Sequence, residues 1–325
     1  MNNFTYLQPK SLDEAGKLLK KKDKKALPLA GGTDVLGMMK DYLVSPESLI
    51  NLKGIPNLNT IEYTEGRTLE IGALATLVDI AENKIINERF TILAEAAKQI
   101  ASPQFRNIAT LGGNLCQRPR CFYFRGDFHC LRKGGDVCYA VDSQNKYHCI
   151  VGGGPCYIVH PSDTAVALLA LDAEISIHSN GKSRRVPIKD FFILPEKNYT
   201  RENILEPGEL VEKVIIPDLP KSAKSKYIKF MERETWDFAM VSVGAVIKKN
   251  GSTISGGRVA FGGVAPVPWQ IENLNKKLSG LGISESNFSN ISKDTFKDAV
   301  TLEHNAYKVP LARNLLKRIL TDLTA

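Results

Sequence analysis

All six cysteines of this 325-residue chain lie in one stretch, residues 110–163. They are Cys116, Cys121, Cys130, Cys138, Cys149 and Cys156. The amino terminus shows no apolar signal core, and no run approaches the roughly 20 apolar residues of a membrane helix. We therefore expect a cytoplasmic location, with export to the periplasm alongside a partner subunit as the alternative. Cytoplasmic thiols stay reduced, so the clustering favours metal ligation over disulfides.

The composition is that of an ordinary globular protein, with 43% hydrophobic and 24% charged residues. Its length suggests two or three domains. The net charge of +8 is compatible with a nucleic-acid partner, but the basic residues are widely spread, as in residues 20–25 and 221–226. No stripe of interleaved aromatic and basic residues occurs outside the cysteine-rich stretch. The composition therefore argues against nucleic-acid binding without excluding it.

Two glycine pairs, Gly31-Gly32 and Gly112-Gly113, each follow an apolar segment. Adjacent glycines adopt backbone conformations closed to other residues, so their amide N–H groups can converge on an anion such as a pyrophosphate. A plain strand-to-helix turn explains one such pair equally well, but two pairs favour a bound cofactor. The chain contains no G-x-G-x-x-G dinucleotide motif.

Helical and strand patterns alternate along the first two thirds of the chain, and a domain boundary is predicted near residues 217–226, where proline, lysine and serine are frequent. Beyond it, residues 227–269 predict long antiparallel strands that turn at Asn250-Gly251. Helices are predicted over residues 11–23, 88–102 (stopped by Pro103), 162–171, 292–304 and 310–323. The pattern predicts an α+β protein.

The segments LAGGTDVL, ATLGGN, HPSD and YIKFMERETWDFAMVSVGAVI resemble, in this order, the FAD-binding subunit of the molybdenum hydroxylases. That family includes xanthine dehydrogenase, carbon monoxide dehydrogenase and aldehyde oxidoreductase. The resemblance implies an FAD-binding fold of two subdomains, of the vanillyl-alcohol-oxidase type, and a C-terminal α+β domain of the CO dehydrogenase flavoprotein type. The corresponding ranges are 1–55, 56–220 with an insertion at about 116–158, and 221–325.

The resemblance also implies which residues hold FAD. The first glycine turn would contact the pyrophosphate, the second would contact phosphate and flavin, Asp163 would bind the polyol or ribose, and Lys229 would lie near the flavin ring. A cation there favours the anionic reduced flavin. Two alternatives remain open: Asp163 as only a first-turn carboxylate stabilised by the helix dipole, and Lys229 as a surface lysine on a strand. The turn residues are Leu29, Ala30, Gly31, Gly32, Thr33 and Asp34, then Thr110, Gly112, Gly113 and Asn114.

The cysteine-rich insertion resembles the one in two branches of the family, bacterial three-subunit aldehyde oxidoreductase and 4-hydroxybenzoyl-CoA reductase, which carry an extra 4Fe-4S cluster. By that match the ligands are Cys121, Cys130, Cys138 and Cys156. Irregular spacing without C-x-x-C pairs also favours a cluster over zinc. Cys149 or Cys116 remains open as a replacement ligand, and His129 or His148 is an option only if a cysteine is displaced.

Basic residues surround the first three of these cysteines, where positive charge would raise a cluster's reduction potential. A role in subunit contacts explains them as well. They are Arg118, Arg120, Arg125, Arg132 and Lys133.

The resemblance therefore implies an FAD and 4Fe-4S electron-transfer subunit with no catalytic acid or base of its own. A molybdopterin subunit and a 2Fe-2S subunit would be its partners, in a heterotrimer or a dimer of heterotrimers. Electrons from an aldehyde would reach this FAD and then an external acceptor. A 4-hydroxybenzoyl-CoA-reductase-like or xanthine-dehydrogenase-like enzyme is the alternative. A stand-alone flavin oxidoreductase and a zinc-containing nucleic-acid-binding module also remain open.

Overall fold

The computed structural model describes residues 1–20 and 25–325. The first region is a parallel sheet in which the third strand lies between the other two. As predicted, the Ser11 side chain caps the first helix by accepting a hydrogen bond from the Glu14 amide. The end of the predicted helix 11–23, and most of the basic run 20–25, lie outside the described residues. The elements are β1 (Thr5–Leu7), α1 (Leu12–Leu19), β2 (Ala26–Leu29), α2 (Val35–Lys40) and β3 (Ser48–Asn51).

The second region is built on a five-stranded antiparallel sheet with the order β4-β5-β8-β6-β7. Its strands are β4 (Ile61–Thr64), β5 (Thr68–Gly72), β6 (Glu174–Ser179), β7 (Lys182–Pro187) and β8 (Leu210–Pro217). Its helices are α3 (Leu77–Glu82), α4 (Lys84–Arg89), α5 (Thr91–Lys98), α6 (Pro103–Arg106), α7 (Leu111–Leu115), α8 (Phe122–Arg125), α9 (Asp163–Ala170) and α10 (Ile188–Phe191). The core of this region lies between the sheet and helices α3, α5 and α9.

The predicted helix over residues 88–102 is wrong in its bounds. It is divided between α4 and α5, and it ends four residues early at Lys98. Pro103 does not stop a helix but occupies the first turn of α6. Proline suits that position because its fixed φ matches the helix and its missing N–H would have no helical acceptor there.

The third region is an antiparallel sheet with the order β12-β11-β10-β9. The predicted turn at Asn250-Gly251 is confirmed, and Gly251 has the positive φ of 56° that favours glycine. The elements are β9 (Ala223–Phe230), β10 (Val241–Asn250), β11 (Thr253–Gly262), α11 (Leu274–Leu278), β12 (Leu281–Gly282), α12 (Glu285–Lys293) and α13 (Lys308–Thr324). Helix α13 packs on β10 and completes a second core.

The helix predicted over residues 292–304 is also wrong, because α12 ends at Lys293 and α13 begins only at Lys308. The intervening chain is held by the cysteine-rich stretch instead. The Val300 amide donates to the Ile150 carbonyl at 2.9 Å, and the His304 amide donates to Asn145 Oδ1 at 2.8 Å. Tertiary hydrogen bonds thus take donors that a helix would use internally.

No helix in the described part of the chain combines the length and apolarity needed to cross a membrane. The domain boundaries predicted at residues 55 and 220 stay predictions.

Candidate functional site

The two glycine turns lie against each other. A Cβ atom on Gly31 would lie 2.0 Å from the Ile108 carbonyl oxygen, so only glycine permits this approach. The Gly113 amide donates to the Thr110 hydroxyl, the N-cap of α7, at 3.2 Å. A Cβ on Gly112 would lie 2.9 Å from the Ala73 side chain. The two predicted cofactor turns therefore form one continuous surface.

Three connected cavities extend from the surface formed by the two glycine turns. The loop cavity, about 250 Å³, is lined by both glycine turns and by Leu74. The central cavity, also about 250 Å³, shares Thr33 and Asp34 with it. The distal cavity, about 310 Å³, shares Asp163 and Phe238 with the central one. Together the three form a groove large enough for an elongated cofactor.

Every residue predicted to bind FAD lines this groove except Leu29. Asn114 lines the central cavity, where its Oδ1 accepts hydrogen bonds from the hydroxyls of Ser162 and Thr164, both at 2.6 Å. These bonds fix the second turn to the start of α9. Leu29 instead packs in a small core with Met39 and other apolar residues.

Asp163 and Lys229 form a buried ion pair in the wall of the central cavity. Their side chains are 6% and 1% exposed, and Lys229 Nζ lies 2.8 Å from Asp163 Oδ2. The Tyr227 hydroxyl donates to the other carboxylate oxygen at 2.6 Å. Lys229 also donates to the carbonyls of Gln99 and Asp237, so all three of its ammonium hydrogens have acceptors. Lys229 lies on a strand, as its alternative interpretation held, but it is not at the surface.

Asp34 attaches the first glycine turn to the cysteine-rich stretch. Its carboxylate accepts from the Arg118 amide at 2.8 Å, from Arg120 at 2.6 Å and from Arg125 at 2.8 Å. Burial alone would raise the pKa of Asp34, but the two guanidinium charges outweigh it and hold that pKa below its usual value. Sequence reasoning placed Asp34 in a pyrophosphate loop and missed these three contacts.

Glu202 has a similar role, and sequence reasoning did not find it. It is buried and pairs with Arg118 and with Arg132. Four of the five basic residues predicted around the cysteines are therefore paired with Asp34 or Glu202, and the fifth, Lys133, donates to a backbone carbonyl. A long connector separates Glu202 from its partners in sequence, which leaves no local signal for the pairing.

The four predicted cluster ligands line one small cavity, together with His148 and Arg132. These are Cys121, Cys130, Cys138 and Cys156. The hydrogen bond from Cys156 lowers the pKa of Cys138 to about 6 and raises the pKa of Cys156. Cys121 Sγ lies 3.3 Å from His148 Nε2. We refer to this space as the cysteine cavity.

Cys116 and Cys149 lie outside the cysteine cavity. Cys116 lines the loop cavity, and Cys149 lines a separate cavity that also contains Trp269. Burial raises the pKa of each thiol to about 12, as expected for small apolar side chains with no nearby cation strong enough to oppose it. All six cysteines lie in the described part of the chain, and none of them forms a disulfide there.

Within residues 1–20 and 25–325, no three His, Cys, Asp or Glu side chains converge closely enough to hold one metal ion. A zinc site requires such convergence. A 4Fe-4S cluster instead takes one thiolate at each of four irons, so its ligands must surround a volume. The cysteine cavity offers four thiols around one space, and the buried Arg132 Nε beside it has no hydrogen-bond partner. That space is small, with a volume of about 10 Å³.

Comparison with known proteins identifies the family. Residues 2–219 match the FAD binding domain in molybdopterin dehydrogenase, and residues 226–323 match the CO dehydrogenase flavoprotein C-terminal domain. The chain is 36% identical over 329 residues to the aldehyde oxidoreductase FAD-binding subunit PaoB of Escherichia coli (strain K12), covering 100% of this chain and 99% of the relative. It is 29% identical to the carbon monoxide dehydrogenase medium chain of Hydrogenophaga pseudoflava, covering 98% and 96%.

A solved structure of carbon monoxide dehydrogenase from Hydrogenophaga pseudoflava, in a form that lacks the Mo-pyranopterin moiety of the molybdenum cofactor, superimposes with a TM-score of 0.77. The match covers 98% of this chain and 96% of the other at 27% identity. The predicted fold class is thereby confirmed: an α+β FAD-binding fold followed by a C-terminal domain of the CO dehydrogenase flavoprotein type. The chain belongs to the FAD-binding subunits of the molybdenum hydroxylases, a family of oxidoreductase complexes.

Proposed function

We propose that this chain is an FAD and 4Fe-4S electron-transfer subunit of an aldehyde-oxidising molybdenum hydroxylase. One observation carries the proposal. The groove that begins at the glycine turns ends in the distal cavity, whose wall contains Cys121 and His148, and both residues also line the cysteine cavity. A flavin in the groove and a cluster among the cysteines would therefore be neighbours. The aldehyde substrate is inferred from the printed name of the 36% identical relative.

The groove residues bind and orient FAD in this proposal. The glycine turns present backbone N–H groups to the pyrophosphate, and the Asn114 side chain holds the second turn in place through Ser162 and Thr164. The Asp163 and Lys229 pair forms the wall beside the flavin. FAD supplies two-electron chemistry when bound, and a 4Fe-4S cluster supplies one-electron steps. The chain contributes positions and charges rather than a general acid or base.

The cysteine cavity supplies four thiolates for the cluster. Arg132 lies in the same wall, and its unpartnered Nε–H is a donor available to a cluster sulfur. His148 Nε2 lies within hydrogen-bond distance of Cys121 Sγ. Both contacts would favour the reduced, more negative cluster and so raise its reduction potential.

Partner subunits would supply the molybdopterin and 2Fe-2S centres, in a heterotrimer or a dimer of heterotrimers. Electrons would enter this chain from the 2Fe-2S subunit and leave to an external acceptor. We propose the cytoplasm as the compartment, on the ground that it preserves reduced thiols. Cell fractionation checks this point, because an activity found only in the periplasm would show export with a partner.

The proposal is tested by counting FAD and iron per chain in anaerobically purified protein. Cys138→Ser should lose most of its iron, whereas the matched variant Cys149→Ser should keep it. Full iron in Cys138→Ser, or iron loss confined to Cys149→Ser, contradicts the ligand assignment. Colourless protein with zinc and no flavin would support a nucleic-acid-binding module. Flavin reduced by an aldehyde without any partner subunit would indicate a stand-alone oxidoreductase.

A further inference from the structure

A cavity of about 580 Å³, larger than each of the three groove cavities, lies between the end of the cysteine-rich stretch and the C-terminal domain. We refer to it as the Trp269 cavity. Its walls come from residues 149–157, 269–273 and 294–300. It shares no lining residue with the groove or with the cysteine cavity. Its volume is typical of small-molecule sites, and neither proposed cofactor would occupy it.

Backbone hydrogen bonds hold the three wall segments of the Trp269 cavity in place. The Ile150 amide donates to the Val264 carbonyl at 2.8 Å, and the Ile150 carbonyl accepts from the Val300 amide at 2.9 Å. The Trp269 amide donates to the Phe261 carbonyl at 2.9 Å. The cavity is therefore preformed, so a ligand would lose little binding free energy to ordering its walls.

The indole of Trp269 offers an aromatic surface in this cavity. A Cβ on Gly152 would lie 3.0 Å from Trp269 Cζ3, so the backbone of the cysteine-rich stretch packs closely against the ring. Among the described residues, no lysine or arginine lies over this indole. Tryptophan attracts cations more strongly than the other aromatic residues do. Phe296 and Tyr157 add further aromatic surface to the walls.

The charged residues of the walls favour a cation. Three carboxylates line the cavity, those of Glu272, Asp294 and Asp298, against the single ammonium of Lys297. Asp294 is already paired, with Lys297 at 2.7 Å and with Lys277 at 3.4 Å. Within residues 1–20 and 25–325, Glu272 and Asp298 form no ion pair. Two unpaired negative charges thus face this cavity, although the chain has a net charge of +8.

We propose that the Trp269 cavity binds a small organic cation, an ammonium, amidinium or guanidinium group on an apolar body. The cationic group would lie against the indole with Glu272 and Asp298 as its counter-ions, and the apolar body would contact Ile271 and Phe296. Carboxylates alone would attract any cation, whereas the aromatic wall selects an organic one. A bound ligand would touch both the cysteine-rich stretch and the C-terminal domain. The inference does not depend on the proposed function, because the cavity is separate from both cofactor regions.

The test titrates the full chain, alone and in its complex where partners co-purify, with benzamidine and with benzamide, its neutral analogue of the same shape. Ligand-observed NMR measures each Kd. We expect saturable binding of benzamidine, at least about threefold tighter than that of benzamide.

Three variants locate the binding. The double variant Glu272→Gln, Asp298→Asn should raise the Kd of benzamidine about three- to tenfold and leave that of benzamide unchanged. Trp269→Leu removes the indole and should raise the Kd of benzamidine at least about threefold. Glu303→Gln is the matched control, because Glu303 is exposed on the same linker but does not line the cavity, and its Kd values should equal those of the unmodified chain.

Equal affinity for the two compounds, or an unchanged Kd of benzamidine in the double variant, would overturn the inference. So would binding to the isolated chain that disappears in the complex, because a partner subunit would then cover the cavity. If Trp269→Leu fails to fold, the double variant keeps the test decisive, since it changes only exposed side chains. A chain without FAD would contradict the proposed function but would leave this test intact.

Discussion

Lys229 Nζ lies 2.8 Å from Asp163 Oδ2, with both side chains almost fully buried. The two residues belong to different family domains, residues 226–323 and 2–219. The pair therefore links the C-terminal domain to the FAD-binding domain at the wall of the central cavity. Since Asp163 neutralises the lysine, the charge that a flavin would experience is that of the pair rather than of a free cation.

Lys229→Met should lower the free energy of unfolding by about 3–5 kcal/mol, because it leaves the Asp163 carboxylate buried without its cation. Urea unfolding measures the change. The double variant with Asp163→Asn should lose less than the sum of the two single losses, since the groups interact directly. Additive losses would show that the pair has no net coupling.

Asp34→Asn should weaken the attachment of the first glycine turn to the cysteine-rich stretch. The folded-state pKa of Asp34 is lowered, so its contribution is present above the unfolded pKa of about 3.9 and is lost as pH falls through the folded value. We expect a loss of about 1–3 kcal/mol at pH 7 and a flatter decline in stability below about pH 4. Urea unfolding from pH 7 to below pH 4, with the exposed Asp142→Asn as control, gives the comparison. An equal acid-side slope in the variant and the unmodified chain would contradict the role.

Lys308 offers a second test of pH dependence, at higher pH. It is fully buried, donates to the carbonyls of Tyr147 and Gly263, and burial lowers its pKa to about 7. Between that value and the unfolded pKa of about 10.4, only the unfolded chain holds the proton, so stability rises with pH. The slope from this group approaches about 1.4 kcal/mol per pH unit.

The Lys308→Met variant should lack that contribution, so the stability of the unmodified chain relative to the variant should rise with pH. Urea unfolding at several pH values between 7 and 10 measures it. A difference that does not change with pH would mean that Lys308 stays charged in the fold.

Gly31→Ala should separate the two glycine turns. Its Cβ would lie 2.0 Å from the Ile108 carbonyl oxygen, so one backbone segment must move. We expect FAD binding to weaken by about tenfold or more, measured by equilibrium dialysis. Gly256→Ala in β11 is the control, because a Cβ there meets nothing within 4 Å. Equal affinity in the two variants would show that the contact does not matter for FAD.

The sequence predicted the parts of the site that depend on local chemistry. The family motifs singled out Asp163 and Lys229, and both lie on the wall of the central cavity. Glu202 escaped prediction because an ion pair across a long connector has no periodic or compositional signal. The ion pairs of Asp34 with Arg120 and Arg125 were not predicted for the same reason, although both arginines had been noted for their charge.

The same holds for the fold: features that depend on neighbouring residues were predicted, and those that depend on distant segments were not. Capping by Ser11 and the hairpin at Asn250-Gly251 are local and were predicted. Residues 292–304 have a helical pattern, but the backbone amides of Val300 and His304 donate to the cysteine-rich stretch. Such an override of local propensity becomes visible only when distant segments are in place.

His148→Phe should lower the reduction potential of the proposed cluster by roughly 20–60 mV, the equivalent of one lost hydrogen bond to the Cys121 sulfur. The phenyl ring keeps the contacts with Phe122 and Tyr123 but removes both ring nitrogens. A redox titration followed by electron paramagnetic resonance measures the potential, and iron per chain should stay constant. His129→Phe changes an exposed histidine of the same insertion and serves as control. His148→Gln retains a hydrogen-bond donor and should restore part of the lost reduction potential. If His148 had only a structural role, both variants would contain less iron, and the potential of the remaining clusters would not change.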